Sequence, residues 1–321
     1  LFFKSTFVKA KTETELALFD ELQSSSVILG SEEPWLFYQR DDDGLSLETY
    51  KRIIPFSETE LSEAAKAIDD MRISLEELGV DEFILYIAPD KETIYGERYM
   101  PGYIKRADRE SSTVQLIRYI EENYHDVHVV YPVEHMLSSE GRFEGVETLY
   151  YKSDTHWNQV GALVGMEALM EAVAELYDTT YTFKDTEFFD AGRAEGDLQK
   201  LALLPESFDR VEYGYLRSPQ FALTGTTVSA ATGETVIYEG NSLDPDSLPI
   251  YLYFCGDSFK NTSLAYIMEA NKSSVVADRH YLNFDDVRQR QPDVFVYEIA
   301  ERYLHELPEI EGYNTEPMPW A

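Results

Sequence analysis

The feature of this chain that most restricts its fold is a set of short runs that are apolar at nearly every position. Phe83 to Ala88, Ile250 to Cys255 and Val294 to Ile299 show almost no alternation of polar and apolar residues. A strand of that kind is buried on both faces, which calls for a parallel sheet covered by helices on each side. Helical stretches alternate with these runs. Ser57 and Glu60 make a capping box, and Leu61, Ala64, Ile68, Met71, Leu75 and Leu78 follow at helical spacing. Gly79 then sits where a helix ends. A helix around Val114–Ile120 leads to a strand at Val127–Tyr131, a long helix covers Val160 to Tyr177, and another strand is expected at Ser274–Ala277. The expected fold is therefore α/β, a single doubly wound domain over 31–321. A polar, Gly/Ser/Thr-rich stretch at about 185–248 reads as an insertion carrying a β-hairpin or two, and residues 1–30 as a helical arm.

Composition removes several functions. The 321 residues include 60 acidic and 27 basic side chains, for a net charge of −33. The excess is spread along the chain, so nucleic acid and anionic membrane surfaces are poor partners. Cys255 is the single cysteine and has no internal disulfide partner. No run approaches the roughly 18 apolar residues of a membrane span. The sequence opens on Leu1 rather than Met, which fits removal of a leader. Asp41-Asp-Asp-Gly44 resembles part of a calcium loop, but Gln39 and Tyr50 would then occupy its first and twelfth positions, so a solvated turn is expected.

Ligands of open parallel sheets gather at the carboxyl ends of the strands. There the run Ile250–Cys255 passes directly into Gly256-Asp257-Ser258-Phe259, ahead of a helix-compatible stretch. A serine at such a turn is exposed, with backbone N–H groups and a helix N-terminus beside it, a place for an oxyanion. The same serine would also serve as a plain helix cap. Of six histidines, His125, His128 and His135 cluster without a defensible metal spacing, and His280 and His305 lie in acidic surroundings expected at the surface. His156 differs. In Asp154-Thr-His156-Trp157-Asn158 an acid two residues before a histidine can reach Nδ1 and fix the tautomer, as the third member of a Ser-His-Asp triad does. Asn158 suits the cap of the long helix, and Trp157 a wall of the site. Ser258 is the candidate nucleophile, His156 the base and Asp154 its orienting acid, with no metal and no cofactor expected.

Six segments in order carry a family resemblance: Gly30-Ser-Glu-Glu-Pro-Trp35-Leu-Phe-Tyr38, Pro89-Asp-Lys91 through Tyr95, Met100-Pro101, Asp154 to Gly161, Gly196-Asp197-Leu198, and Gly256 to Phe259. Together the pattern resembles the SGNH-hydrolase-like O-acetyltransferases of bacterial exopolysaccharides, typified by the alginate O-acetyltransferases, and the related DHHW proteins. The Asp-x-His turn precedes the serine in that family, whereas ordinary SGNH esterases carry the serine first. Thr155 replaces the second histidine of the D-H-H-W form, and the chain ends near 321 without the carbohydrate-binding module of some alginate enzymes. The resemblance implies an SGNH-like, flavodoxin-like sheet in a secreted, periplasmic or membrane-anchored, hence extracytoplasmic, bacterial enzyme. It implies O-acetylation of a cell-surface or extracellular polysaccharide by a monomer, the acetyl donor being supplied by a membrane protein. Asn158, Lys91, Trp157 and Tyr95 are then the expected substrate contacts. A carbohydrate acetylesterase with the same triad, or an idle glycan-binding surface protein, are the alternatives. The overall acidity favours a neutral or weakly charged glycan.

Overall fold

The computed structural model describes residues 24, 26–32, 34–39, 45–228 and 236–309. Most of the expected N-terminal arm and the Asp41–Gly44 turn lie outside them. In chain order the strands are β1 (Val27–Leu29), β2 (Leu36–Tyr38), β3 (Glu82–Ala88), β4 (His128–Val130), β5 (Phe188–Ala194), β6 (Arg210–Tyr215), β7 (Phe221–Val228), β8 (Val236–Ser242), β9 (Leu248–Gly256), β10 (Asn271–Asp278) and β11 (Val294–Ala300). The helices are α1 (Ser46–Lys51), α2 (Glu58–Glu77), α3 (Lys91–Tyr99), α4 (Ser112–Asn123), α5 (Val133–Ser138), α6 (Gln159–Leu176), α7 (Asp197–Ala202), α8 (Lys260–Ala270) and α9 (Phe284–Arg290). Among the described residues no helix is long and apolar enough to cross a membrane.

Seven strands form the central sheet in the order β4-β3-β11-β9-β10-β8-β7. The first five are mutually parallel. β8 then pairs antiparallel to β10, and β7 antiparallel to β8. The antiparallel pair β7–β8 thus extends the sheet rather than standing apart from it, while β5 and β6 form a separate antiparallel ribbon. Val27–Leu29, at the end of the stretch expected as a helical arm, pairs instead with β2. These β-branched and apolar residues bury Val27 beside Leu36, Leu198 and Phe208, a packing that a strand edge supplies.

The unbroken apolar strands follow from two cores, one on each face. Phe83, Leu85 and Ile87 join Ile68, Met71 and Leu75 of α2 and Leu116 and Ile120 of α4. Ile84, Tyr86 and Ala88 point the other way, toward Val160, Leu163 and Met170 of α6 and Ile267 of α8. Each fully buried aliphatic side chain of this kind contributes roughly 1.5–3 kcal/mol of transfer free energy. The capping box of α2 is formed in both directions, Glu60 N donating to Ser57 Oγ at 3.2 Å and Ser57 N to Glu60 Oε2 at 2.7 Å. Gly79 ends the helix at φ +93°, which a side chain would resist.

Candidate active site

β9 ends at Gly256, and the next residues are held from behind. Asp257 is buried; its N donates to Glu298 Oε2 at 2.7 Å, and its own carboxylate accepts from Phe259 N at 3.0 Å and Ala300 N at 2.7 Å. The turn is thereby bolted to β11, the neighbouring strand. A Cβ on Gly256 would sit 2.2 Å from Glu298 Oε2, so the close approach needs glycine. Burial and the neighbouring Asp257 charge push the Glu298 carboxyl well above the usual range. Burial works against the ionised Asp257, but Arg279 and Arg302 prevail and lower its pKa. Helix α8 begins at Lys260 with Phe259 as its N-cap residue. Ser258 is therefore not the cap; it is exposed, one residue before it.

The histidine reaches the same place from another part of the chain. Tyr150 and Trp157 form an isolated antiparallel bridge that closes a tight turn around Asp154 and His156. Asn158 caps α6, its Oδ1 accepting from Val160 N at 2.9 Å and Gly161 N at 3.0 Å. Trp157 Nε1 donates to Phe259 O at 3.3 Å, and its ring meets Phe259 edge-on at 4.8 Å. This contact joins the histidine turn to the serine turn. His156 Nε2 lies 2.7 Å from Ser258 Oγ, and His156 Nδ1 lies 2.8 Å from Asp154 Oδ1. With Nδ1–H donating to the carboxylate, Nε2 of the neutral ring is free to accept the serine proton.

Asp154 is 2% exposed and has four donors. Oδ1 takes His156 Nδ1 and, at 3.1 Å, His156 N. Oδ2 takes Asp197 N at 2.9 Å and the guanidinium of Arg210. Burial alone would raise its pKa, but the hydrogen bond and charge of His156 and the Arg210 charge hold it far below the usual carboxylate range. Burial likewise disfavours imidazolium at His156. The hydrogen bonds and charges of Asp154 and Asp197 outweigh it and raise His156 to about 9. Asp197 Oδ2 is 3.4 Å from Nδ1. Asp154, His156 and Asp197 offer three ligand atoms within 4.8 Å of one another. An ion there would have to displace the Arg210 guanidinium and the proton between Nδ1 and Asp154, so this donor set fits a proton relay better than a metal.

Ser258, His156 and Asp154, expected to converge, are brought together. The four expected substrate contacts are not on the surface of the site, and that reading is corrected. Lys91 is buried and donates to the carbonyls of Tyr151 at 3.2 Å, Lys152 at 3.1 Å and Asp154 at 2.7 Å. It holds the histidine turn from below, and burial lowers its pKa to about 8 against the pull of Glu92 and Asp197. Tyr95 is fully buried, its OH accepting from Leu149 N at 2.9 Å. Asn158 is the helix cap and Trp157 is packed against Phe259, both with about 1% exposure. A cavity of about 530 Å³ opens at Ser258 instead, lined among others by Tyr151, Gln159, Asp197, Arg210 and Leu264. Arg210 went unnoticed in the sequence, and nothing local in Asp209-Arg210-Val211-Glu212 marks it. Asp197 stood in a quoted segment without a role.

The other histidines are placed as follows. His128 lies on β4, 3.6 Å from Glu82, and His135 is 3.4 Å from Glu167. His305 is half-buried rather than fully exposed: it stacks on Phe56 at 4.0 Å and faces Ile54 O at 3.1 Å, because the C-terminal segment packs down there. His280 repeats the Asp-x-His geometry with Asp278, Nδ1 to Oδ1 at 2.8 Å, yet among the described residues no serine hydroxyl bonds to it. The local turn is thus a common device, and convergence with Ser258 distinguishes Asp154–His156.

The description "SGNH hydrolase-like domain, acetyltransferase AlgX" matches residues 27–301. No curated protein matches the sequence. Among solved structures the fold is similar to Bacillus cereus PatB1, with 16% identity, 87% of this chain and 96% of that one covered, and a TM-score of 0.62. The O-acetyltransferase domain of Pseudomonas putida AlgJ is similar at 18% identity, 92% and 96% coverage, and a TM-score of 0.56. A DHHW family protein from Eubacterium siraeum gives 15%, 88% and 98%, and 0.57. On the match across 27–301, the chain belongs to the SGNH hydrolase-like acetyltransferase family of AlgX, and its enzyme class is that of an acetyltransferase.

Proposed function

We propose that this enzyme transfers acetyl groups to hydroxyls of an extracytoplasmic polysaccharide through an acyl-enzyme on Ser258. The observation that carries the reading is the continuous chain Ser258 Oγ–His156 Nε2 at 2.7 Å and His156 Nδ1–Asp154 Oδ1 at 2.8 Å, opening on a cavity. Ser258 Oγ attacks the acetyl carbonyl as its proton passes to His156 Nε2. The oxyanion is met by Ser258 N–H at the positive end of α8. Collapse expels the donor's leaving group, which takes the proton from Nε2. A sugar hydroxyl then gives its proton to Nε2 and attacks the acyl carbon, and Ser258 leaves with that proton. Asp154 keeps the ring in the productive tautomer and stabilises imidazolium in both halves.

Transfer rather than hydrolysis requires an acceptor held in place, since orientation is worth an effective molarity of roughly 10⁵ M or more. Asp197, Glu195 and Glu212 line the cavity with Arg210 and Lys200. That balance supports a neutral or weakly charged glycan over a uronate polymer. The acetyl donor would come from a membrane acetyl-donating protein. The test offers a chromogenic acetyl ester with and without neutral oligosaccharides, following acetate release and sugar mass together. Acetylated sugar formed at the expense of acetate is expected. Acetate release indifferent to every acceptor, with rapid deacetylation of acetylated glycans, would make the enzyme an esterase. Ser258→Ala and His156→Ala should each lose orders of magnitude and the double variant little more, because such residues act as a unit.

A further inference from the structure

We propose that Arg210, delivered by β6 of the β5–β6 ribbon, is a positioning residue that fixes Oδ2 of Asp154 so that Oδ1 faces Nδ1 of His156. The inference rests on the proposed role of the Ser258–His156–Asp154 chain. Asp154 has two oxygens and a division of labour between them: Oδ1 serves His156, and Oδ2 receives Asp197 N and Arg210. Of the donors on Oδ2 only the guanidinium carries charge. A carboxylate 2% exposed that lost it would keep a single backbone N–H on that side and be held less firmly about χ2.

Arg210 is itself held by the protein. Its Nε donates to Glu212 Oε1 at 2.6 Å, and its guanidinium lies 4.4 Å from the Tyr151 ring centroid. Tyr151 OH and Gln159 Nε2 donate in turn to Glu212 Oε2, at 2.8 and 3.2 Å. The side chains that hold the arginine therefore belong to β6 and to the histidine turn, and Glu212 is held in turn from Tyr151 and from the start of α6. The ribbon, which is outside the central sheet, thus supplies the last link of the relay, beyond Asp154. The planar fork and permanent charge of arginine suit this place, and a lysine would supply only a point charge.

The charged groups around His156 are Asp154 from its own turn, Asp197 from α7, Arg210 and Glu212 from β6, and Lys91 of α3 beneath the turn. Removing the positive member nearest the carboxylate leaves Asp154 holding the Nδ1 proton more tightly. The acid limb of kcat/KM should then move to higher pH. Arg210→Ala is expected to lower kcat by about ten- to a hundredfold with KM little changed, the size of a small misplacement in an active site. Arg210 lines the cavity, so guanidinium ion added to Arg210→Ala should return part of the rate and move the limb back. Arg210→Lys should lie between the two.

The measurements are pH profiles of kcat and KM for wild type, Arg210→Ala and Arg210→Lys with a chromogenic acetyl ester, with guanidinium and, as control, urea. A limb that stays put in both variants with no rescue overturns the proposal. A rise in KM with kcat unchanged overturns it too, and makes Arg210 a substrate contact. If Arg210→Ala does not fold, the limb of Arg210→Gln, which also removes the charge, decides. Ser258→Ala separates the failures: activity surviving there refutes the triad itself, whereas a dead Ser258→Ala beside an unshifted limb in the charge-removing Arg210 variant refutes only this inference.

Discussion

Asp197 offers a quantitative test of how the relay is tuned. Asp197→Asn removes one charge and keeps the shape, so the backbone bond from Asp197 N to Asp154 and the bond from Thr155 N to the side-chain oxygen at 2.8 Å are retained. Its Oδ2 is 3.4 Å from His156 Nδ1. Coulomb's law at that distance gives about 1.2 kcal/mol at the dielectric of water and about 5 kcal/mol at an effective value near 20. Asp197 is 40% exposed, which favours the lower figure, or about 0.9 pK unit. His156 should then titrate near about 8 rather than about 9. At pH 7 the neutral, working form rises from about 1% to about 7%, so kcat/KM there should increase about sevenfold. The assay is kcat/KM for a chromogenic acetyl ester from about pH 6 to pH 10, with the plateau at high pH compared as well. An acid limb that stays where it is, or moves to higher pH, refutes the reasoning.

The raised pKa of His156 also ties stability to pH. Its folded value of about 9 lies above the ordinary 6.5, so its contribution is complete below about 6.5 and fades as pH rises through about 9, with a ceiling of about 3 kcal/mol. Lys91 is shifted the other way, so the measurement is the difference between wild type and His156→Gln in urea at both ends of that window; a difference independent of pH would sink the assignment. A Cβ at Gly196 would meet Ser153 O at 2.1 Å, so Gly196→Ala should cost about 1–3 kcal/mol and disturb the Asp197–Asp154 contact. Unchanged urea stability and unchanged ester turnover in that variant would contradict the close approach.

The sheet was legible because burial on both faces leaves a mark on consecutive residues. Phe83–Ala88 must be apolar throughout when its side chains enter two cores in turn. The Asp154–His156 turn was legible because its chemistry spans three residues. Arg210 was not, since its meaning comes from a carboxylate 56 residues earlier and from the fold of a ribbon. Lys91 and Tyr95 were misread for a related reason. A polar side chain near a site motif has the same appearance whether it touches a ligand or a backbone carbonyl, and only the 2.7 Å bond from Lys91 to Asp154 O separates the two. The edge pair of β7 and β8 was expected as part of an insertion, but its pairing with β10 depends on which strand the core leaves uncovered.

The separation of the relay along the chain has a consequence for folding. His156 and Ser258 are 102 residues apart, and the ribbon with Arg210 comes between them. Contacts of such range form late, after the closure entropy of the intervening segment has been met. Refolding from urea should therefore regain helical circular dichroism, from local contacts within α2 and α6, before any ester is turned over. Turnover would report the completion of long-range pairings, that of β3 with β11 included, rather than the first collapse.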